Sequence, residues 1–352
     1  MKKKVYVGLS GGVDSSVAAM LLKKQGYEVV GVYMKNWSQD LPGMPCPWKE
    51  DYQDAKRAAV QLGIDFKMYD FEKQYRQKVV DYMLDGFKAG ITPNPDIMCN
   101  QEIKFSLFLH TALQDGADMV ATGHYAKVTD GRLFMAKDAN KDQTYFLYRV
   151  SNEALEKTLF PLGNLTKPEV RQLAQKAGLV TADKKESMGI CFVGKVGIKE
   201  FLEQFVEPKL GKIIDQYGKV IGEHEGAIFY TIGQRHGLDV GGGLPYYVTG
   251  KDMGRNEVYV TTDLQDEKLW SGQIKLTSTH WINDKLLQSP ALKVRTRHRA
   301  RLVEVKKIFT RTALGKKEWV AELDEEVRAL TPGQSAVFYH GDECLGGGIV
   351  TA

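Results

Sequence analysis

The chain has 352 residues, 43% of them hydrophobic and 26% charged, which is the balance of a globular protein with two or three domains. No apolar run approaches the roughly 20 residues that span a membrane, and no signal-peptide segment follows the basic start, so we expect a cytoplasmic protein outside the membrane. The net charge of +4 is compatible with a polyanionic partner but does not require one.

The first half of the chain alternates strand and helix patterns. Short apolar runs predict strands at 4–9, 28–34, 66–69 and 119–122, and helical periodicity predicts helices at 14–25, 51–62, 71–87 and 100–113. Repeated βα units indicate an α/β domain with a parallel sheet and helices on both faces. Such sheets bind their ligands at the carboxyl ends of the strands.

After about Gly194 the pattern changes to short alternating runs separated by turn residues. The runs lie at 212–214, 227–232, 257–261, 273–277, 318–322 and 335–339. They predict small β domains that include a barrel. We therefore expect an α/β domain at 1–195, a small central β-rich domain at 196–264 and a C-terminal β-barrel at 265–352. We find no internal repeats.

The strongest local signal is Gly-Leu-Ser-Gly-Gly-Val-Asp-Ser-Ser at residues 8–16, here called the phosphate loop. Gly11 and Gly12 have no Cβ, so the backbone can bring its amides against an anion, and the following helix points its positive end at the same place. The Gly-Lys-Ser/Thr of the usual P-loop is missing, so we expect no lysine at the β and γ phosphates. The alternative is a glycine turn with a Ser/Asp helix cap.

A second segment, residues 94–100, lies between two predicted helices. Pro93 and Pro95 should exclude a helix there, and Asn100 can cap the helix that follows. Cys99 would then lie at a helix N-terminus, where the dipole favours a thiolate. A purely structural role for this cysteine remains an equal alternative.

The four cysteines are far apart in sequence and form no CxxC pair, so a zinc site is not expected. They are Cys46, Cys99, Cys191 and Cys344. In a reducing compartment they should remain thiols.

Taken together, these segments resemble the bacterial tRNA-specific 2-thiouridylases, which are PP-loop ATP pyrophosphatases. The similar segments are GLSGGVDSSV at 8–17, YMKNW at 33–37, TPNPDIMCNQEIKF at 92–105, TGHYAKV at 122–128, KDQTYFLY at 141–148, SMGICFVG at 187–194, YTIGQRHGL at 230–238 and TPGQSAVFY at 331–339. The paired PDIMCN and GICF segments are the specific part, because other PP-loop enzymes lack that pair.

The resemblance implies an adenine nucleotide α-hydrolase-like first domain. It also implies ATP-dependent 2-thiolation of the wobble uridine of tRNA, through an adenylated base and a cysteine persulfide. Mg²⁺ would accompany ATP, a cysteine desulfurase or relay protein would donate the sulfur, and the enzyme would act as a monomer.

The resemblance further assigns roles to residues of this chain. For ATP it implies Gly8, Leu9, Ser10, Gly11, Gly12, Val13, Asp14, Ser15, Met34 and Gly123. For the tRNA it implies Asn94, Pro95, Asp96, His124, Lys141, Asp142, Gln143, Arg295, Thr296, Arg297 and Gln334. Asp96 would be the general acid/base, Cys191 the persulfide carrier, and Cys99 the residue that helps to release sulfur and can form a disulfide with Cys191. Cys46 and Cys344 match no family role.

The chain departs from the family in the last domain, where Thr296 stands in place of an aromatic residue. The same stretch forms a basic run, defined as Lys293, Arg295, Arg297, Arg299 and Arg301. In one strand, alternate positions share a face with a spacing of about 6.6 Å, which suits a nucleic-acid backbone. A solvated strand face that prevents edge pairing is the alternative.

Two other functions are compatible with parts of the sequence. Another PP-loop adenylating enzyme with a small-molecule substrate would form AMP without tRNA and would not need Cys191. A nucleotide-gated RNA binder would bind tRNA without releasing pyrophosphate. The two cysteine segments favour thiolation over both.

Overall fold

The computed structural model describes residues 2–40, 46–185, 197–238, 240–241, 243, 245–313 and 315–351. Within this part of the chain the first domain contains these strands: β1 (Lys4–Gly8), β2 (Glu28–Lys35), β3 (Asp65–Asp70), β4 (Met119–Ala121), β5 (Lys127–Thr129), β6 (Arg132–Phe134) and β7 (Thr158–Leu159).

The helices of the first domain and of the segment after it follow the predicted pattern but are more finely divided. They are α1 (Val13–Lys24), α2 (Trp48–Leu62), α3 (Glu72–Tyr75), α4 (Asp81–Lys88), α5 (Pro95–Met98), α6 (Phe108–Gln114), α7 (Thr144–Leu147), α8 (Asn152–Glu156), α9 (Lys167–Lys176) and α10 (Ile198–Leu202). π-Helical segments at Arg76–Val80 and Cys99–Leu107 join α3 to α4 and α5 to α6.

The first domain is built on a parallel sheet with strand order β3-β2-β1-β4-β7, which confirms the predicted fold class. The chain runs outward from β1 to β3 and then crosses to the other side of β1 with β4. Because the connections after β1 and β4 leave in opposite directions, a crevice opens at the carboxyl ends of these two strands. The phosphate loop follows β1 directly, so it lies at this crevice.

The central β domain is a small sheet of β8 (Gly211–Ile214), β9 (Val220–His224), β10 (Tyr247–Asp252) and β11 (Glu257–Thr261), ordered β10-β11-β8-β9. The strand predicted at 227–232 is wrong, because Ala227–Phe229 forms a turn of 3₁₀-helix. Its three side chains are all buried. A consecutive apolar run does not distinguish a buried strand from such a turn.

The C-terminal β-barrel contains β12 (Trp270–Trp281), β13 (Leu292–Arg295), β14 (Val303–Ala313), β15 (Lys316–Arg328), β16 (Ser335–His340) and β17 (Glu343–Val350). The strand order is β12-β15-β14-β13-β16-β17, and β17 pairs back with β12, so six strands close the predicted barrel. Its interior holds Ile274, Leu276, Val294, Phe338 and Leu345.

The barrel is joined to the first domain by the β5–β6 hairpin, which pairs with β17 through Cys344 and Leu133. The hairpin therefore extends the barrel sheet and fixes the barrel beside the parallel sheet of the first domain. Among the described helices, none is long and apolar enough to cross a membrane.

Candidate active site

The phosphate loop presents backbone amides to a cleft. Gly12 is the N-cap of α1 and has no side chain to occupy the amides of the first helical turn. The serine hydroxyls are used within the loop, since Ser15 Oγ accepts from the amide of Ser10 at 3.2 Å and donates to the carbonyl of Gly12 at 3.1 Å. The amides at the positive end of α1 therefore remain available to an anion.

At two positions where the loop meets its neighbours, the backbones lie too close together to leave room for a side chain. A Cβ on Gly11, whose φ is +78°, would lie 2.4 Å from the carbonyl oxygen of Asp51 in α2. A Cβ on Gly123, in the connection after β4, would lie 2.7 Å from the amide nitrogen of Ser15. Both positions need glycine, because a neighbouring backbone atom occupies the space of a Cβ.

The other residues predicted for ATP lie at the same end of the sheet. Leu9 is buried, and its amide donates to the carbonyl of Val32 at 2.8 Å, so it anchors the loop in the core. Val13 is also buried. Met34 packs over β1, with its Cε 2.9 Å from the place of a Cβ on Gly8.

The cleft beside the loop has a cavity volume of about 280 Å³. Among the described residues, the basic side chains that line it are Lys141, Lys167, Lys184, Lys185 and Arg299, and the acidic ones are Asp14 and Asp51. The remaining lining comes from Ser10, Gly12, Val13, Tyr125, Gln143, Phe146 and His298. This excess of positive charge suits a polyphosphate.

A lysine from elsewhere in the chain lies beside the phosphate loop, although the loop itself contains none. Lys167 is 153 positions along the chain from Asp14, yet its Nζ lies 2.7 Å from each carboxylate oxygen of Asp14. Tyr125 donates its hydroxyl to the same carboxylate at 2.9 Å. A capping box of Thr166 and Glu169 starts α9 at Lys167. This sequence signal predicts where the helix begins but not that it faces the loop.

A second lysine joins α2 to the segment that leads towards Cys191. Lys184 Nζ lies 2.8 Å from Asp51 and 2.6 Å from Asp54. Arg171 of α9 donates to the carbonyl oxygens of Ala182 and Lys184. The chain is therefore held beside the cleft up to this point, whereas Cys191 lies outside the described residues.

The prediction that residues 94–100 form a non-helical loop is wrong. The side chain of Asn94 accepts from the amides of Asp96 at 3.1 Å and Ile97 at 3.3 Å, so Asn94 is the N-cap and Pro95 is the first helical residue. Proline is tolerated there because its missing N–H would have no partner within the helix.

Cys99 consequently lies inside a helix rather than at its start, and it is only 1% exposed. Asn100 does not cap a helix, because its Nδ2 donates to the carbonyl of Phe146 at 3.0 Å. Phe146 lines the cleft. The helix that carries Cys99 is thus adjacent to the nucleotide cleft, and Asp96 is partly exposed on its first turn.

The residues predicted to contact tRNA are divided among different environments. Lys141 and Gln143 line the cleft, and Gln143 Oε1 accepts from the amide of Tyr125 at 2.9 Å. His124 instead lies in the core, where its Nδ1 is 2.7 Å from Thr122 Oγ1. Burial, and to a lesser extent Lys104, holds the pKa of His124 well below its usual value. Its ring does not form an RNA-facing surface in this structure.

The prediction that the basic run shares one strand face is also wrong. Strand β13 ends at Arg295, residues 296–300 form a turn, and Arg299 has a φ of +62°. Lys293 pairs with Glu304 and Arg301 with Glu325, whereas Arg299 enters the nucleotide cleft. A β-strand face cannot continue through a turn, so the alternating pattern has no common surface.

Arg295 and Asp142, both predicted to contact tRNA, bind each other across the boundary between the barrel and the first domain. Arg295 Nη1 lies 3.4 Å from Asp142 Oδ2, and the side chains are 12% and 3% exposed. Burial raises the pKa of Asp142 although Thr144, the amide of Ala136 and Arg295 all favour its charged form. This pair holds the two domains together.

A second cavity, of about 340 Å³, lies where the three domains meet. It is lined by Thr231, Ile232, Gly233, Gln234, Arg297, Thr331 and Gln334. Arg297 Nη2 donates to the carbonyl of Ala329 at 2.7 Å, to Thr331 Oγ1 at 3.1 Å and to the carbonyl of Ile232 at 3.3 Å. Gln334 Nε2 donates to the carbonyl of Thr92 at 2.8 Å. Arg297 and Gln334 therefore connect the domains at this cavity.

Two cysteines that match no family role are poor nucleophiles in their surroundings. Burial raises the pKa of Cys344, which is fully enclosed in β17, and also that of Cys46. A raised pKa leaves little thiolate at neutral pH. The described part of the chain contains no cluster of three or more His, Cys, Asp and Glu side chains that could hold a metal ion.

The sheet and its phosphate loop define a nucleotide-binding domain, and three family models match the chain in succession. They are described as a tRNA methyl transferase HUP domain at residues 3–195, a tRNA methyl transferase PRC-barrel domain at 199–262 and an aminomethyltransferase beta-barrel domain at 271–350.

The chain is 48% identical to a tRNA-specific 2-thiouridylase MnmA of Geobacillus thermodenitrificans (strain NG80-2), over 99% of this chain and 94% of the relative. It is 47% identical, with the same coverage, to the protein of that name from Bacillus subtilis (strain 168). This chain therefore belongs to the tRNA-specific 2-thiouridylase family.

A solved complex of a 4-thiouridine synthetase with RNA and bound ATP aligns more distantly. It has a TM-score of 0.37 and 20% identity, over 57% of this chain and 50% of that one.

Proposed function

We propose that this chain uses ATP to activate the 2-oxygen of the wobble uridine of tRNA and replaces that oxygen with sulfur carried on Cys191. The observation that carries the proposal is the phosphate loop, whose open amides face a cation-lined cleft next to the Cys99 helix. Family membership over nearly the whole chain supports the choice of tRNA as the substrate.

In the first stage the uridine 2-oxygen attacks the α-phosphate of ATP, and pyrophosphate leaves. The amides of the phosphate loop and the surrounding lysines would stabilise the charge of the departing pyrophosphate. Asp96 is the proposed general acid/base, because it is partly exposed on the first turn of the Cys99 helix. The base must leave its stack to reach this position.

Mg²⁺ is the proposed companion of ATP and would neutralise phosphate charge when bound. The carboxylates that line the cleft, Asp14 and Asp51, are oxygen ligands of the kind that Mg²⁺ prefers. Because both carboxylates already bind lysines, phosphate oxygens would supply most of the ligands of the Mg²⁺ ion.

In the second stage sulfur replaces the activated oxygen. The Cys99 thiolate attacks Cys191 Sγ, a Cys99–Cys191 disulfide forms, and the terminal sulfur of the persulfide leaves with its electron pair. That sulfur attacks the base at C2, and AMP leaves with the original oxygen. An external dithiol then reduces the disulfide. Because Cys99 is buried and a disulfide requires Cα atoms within about 7 Å, the Cys99 helix must be uncovered during this stage.

The proposal has further parts that rest on the sequence. Sulfur would reach Cys191 from a cysteine desulfurase or a relay protein, and the enzyme would act as a cytoplasmic monomer. The proposed domain boundaries, 1–195, 196–264 and 265–352, place ATP in the first domain and assign the tRNA stem to the other two.

The test is incubation of the protein with ATP, Mg²⁺, a persulfide source and unmodified tRNA, followed by nucleoside analysis for 2-thiouridine. Cys191→Ser should abolish 2-thiouridine while pyrophosphate release continues, because adenylation does not use that sulfur. Cys46→Ser is the matched control and should retain the parent activity, since its pKa is raised. Parent-level thiolation by Cys191→Ser would refute the mechanism.

The same assay separates the rival functions. Pyrophosphate release that requires no tRNA would favour a small-molecule adenylating enzyme. Binding of tRNA without any pyrophosphate release would favour a non-catalytic RNA binder.

A further inference from the structure

The nucleotide cleft is completed by a segment from the opposite end of the chain. The turn at residues 296–300, which follows β13 of the barrel, places His298 and Arg299 on the same cavity as Ser10 and Gly12 of the phosphate loop. The first domain therefore forms only part of the cleft wall, and the barrel forms the rest.

This turn is held firmly on both sides of its tip. On one side Arg295 binds Asp142 of the first domain. The hydroxyl of Tyr145, which donates to the carbonyl of Ser335 at 2.9 Å, also lies 3.4 Å from the carbonyl of Thr296. On the other side Arg297 donates to the carbonyls of Ile232 and Ala329 and to Thr331 Oγ1. The position of the tip is thus determined by contacts with all three domains.

The ring of His298 adds a contact at the tip itself. It lies against Phe146, with ring centroids 4.5 Å apart and an angle of 41° between the planes. Phe146 also accepts the hydrogen bond from Asn100, the residue after Cys99. The tip is therefore packed on Phe146, which lines the cleft and whose carbonyl is bonded to the Cys99 helix.

The side chain of Arg299 is exposed at the cleft, on a backbone conformation that is unfavourable for an arginine. Its φ of +62° lies in the left-handed region, which a side chain other than glycine rarely adopts. It lines the cleft together with two other cationic side chains, Lys141 and Lys185. Among the described residues, no carboxylate pairs with its guanidinium, whereas Lys167 and Lys184 of the same cleft are held by Asp14 and Asp51.

An anionic ligand would account for this arrangement. A guanidinium offers parallel N–H donors that match two oxygens of a phosphate, and an arginine held across a cavity from a loop of backbone amides can close the site around a phosphate group. A bound anion would also offset the repulsion between Arg299 and the neighbouring cations.

We propose that Arg299 binds the pyrophosphate end of ATP, so that the C-terminal barrel supplies a side chain to the nucleotide site of the first domain. This inference rests on the proposed use of ATP and adds a residue to that site. It also means that nucleotide binding and the seating of the barrel stabilise each other.

The test measures equilibrium binding of ATP and of AMP in the absence of tRNA, and in a separate titration the binding of tRNA, to the full-length protein and to three variants. Arg299→Ala and Arg299→Gly should each weaken ATP binding by about 10- to 100-fold, which is the loss expected for a charge-assisted hydrogen bond, and should leave AMP binding little changed. Arg301→Ala is the matched control. It removes the same charge two residues away, where the side chain is exposed and bound to Glu325, and should bind ATP like the parent.

The glycine variant separates binding from folding. Because glycine adopts a φ of +62° without strain, the melting temperature of Arg299→Gly should equal or exceed that of the parent while ATP binding falls. A loss of ATP affinity accompanied by a matching loss of thermal stability in both Arg299 variants would point to a structural role and overturn the proposal.

Three further outcomes would also overturn it. They are parent-like ATP affinity in both Arg299 variants, an equal loss in Arg301→Ala, and a loss of tRNA affinity alone, which would assign Arg299 to an RNA phosphate. If the parent binds ATP but forms no 2-thiouridine in the complete assay, the proposed function fails while the contribution of Arg299 is still decided by the binding measurements.

Discussion

The phosphate loop and the turn at residues 296–300 face each other across one cleft, yet they are built in opposite ways. The loop acts through backbone amides, and Gly11 within it is enclosed by the backbone of Asp51. The turn acts through the side chains of His298 and Arg299, and contacts with the other domains hold it in place. A site built from enclosed backbone has no room for an added Cβ. A site built from side chains depends on the contacts that fix the position of its backbone.

The largest expected effect concerns what holds the turn. Arg295→Ala would leave the buried carboxylate of Asp142 without its cation, and breaking a buried pair in this way costs about 3–5 kcal/mol of unfolding free energy. We expect a large fall in melting temperature together with weaker ATP binding, because the turn loses its support.

The pH dependence of that loss identifies its cause. Burial already raises the pKa of Asp142 in the parent, and loss of the cation raises it further, so protonation at lower pH removes the uncompensated charge. The deficit of Arg295→Ala in melting temperature should therefore be smaller at pH 5 than at pH 8. A deficit independent of pH would show that packing, rather than charge, is what the arginine contributes.

The next effect concerns the phosphate loop. Gly11→Ala adds a Cβ that would lie 2.4 Å from the carbonyl of Asp51, at a φ of +78°. The left-handed φ alone costs about 1–2 kcal/mol, and the contact must also displace the loop, so ATP binding should weaken by at least about tenfold.

Gly26→Ala provides the comparison for this prediction. Its φ is +91°, but a Cβ there would have nothing within 4 Å, so it shares the strain without the contact. The two variants should lose similar stability from the backbone strain, and only Gly11→Ala should lose ATP affinity, as measured by calorimetric titration. Equal affinities would contradict the role of close packing in the loop.

A smaller effect should appear in the pH dependence of stability through His298. Burial, with the charges of Arg299, Arg295 and Lys141, lowers the pKa of His298 to about 4 from its usual 6.5. Since the unfolded chain takes up this proton first, the histidine reduces stability progressively as the pH falls from about 6.5 to about 4.

His298→Phe should retain the ring contact with Phe146 and remove the titration. The variant should therefore melt increasingly above the parent as the pH is lowered from 7 to 5. The His298 Nδ1 atom is buried without a hydrogen bond in the described structure, so no loss is expected at pH 7. Parallel melting curves across this pH range would show that the ring is accessible to water.

The smallest expected effect is that of Arg301→Ala on stability. Arg301 and Glu325 form an exposed pair, 68% and 46% accessible, and such pairs contribute about 0–1 kcal/mol. Thermal melting should distinguish this variant only slightly from the parent. If Arg301→Ala lowered the melting temperature nearly as much as Arg295→Ala, the exposed and the buried ion pair would contribute equally to stability, contrary to this prediction.

The pattern of correct and wrong predictions follows the range of the interactions involved. The strands of the first sheet and the phosphate loop could be predicted because periodicity, glycine and a helix start are local properties of the chain. The prediction at Pro95 is wrong because proline excludes a helix interior but not its first position, and only the hydrogen bonds that Asn94 Oδ1 accepts show which applies. The strand predicted at 227–232 is wrong because buried apolar residues need not alternate.

Local and long-range interactions also contribute differently to the cleft. The class of fold, the backbone cradle and the family of this chain could be predicted from the sequence, because periodicity, glycines and short motifs are local properties of the chain. The cations around the cradle could not, since Lys167 and Arg299 approach it from α9 and from the barrel. Alternation of charges predicts a shared face only while a strand continues. Strand β13 ends at Arg295, and the turn beyond it is held by contacts with the other domains.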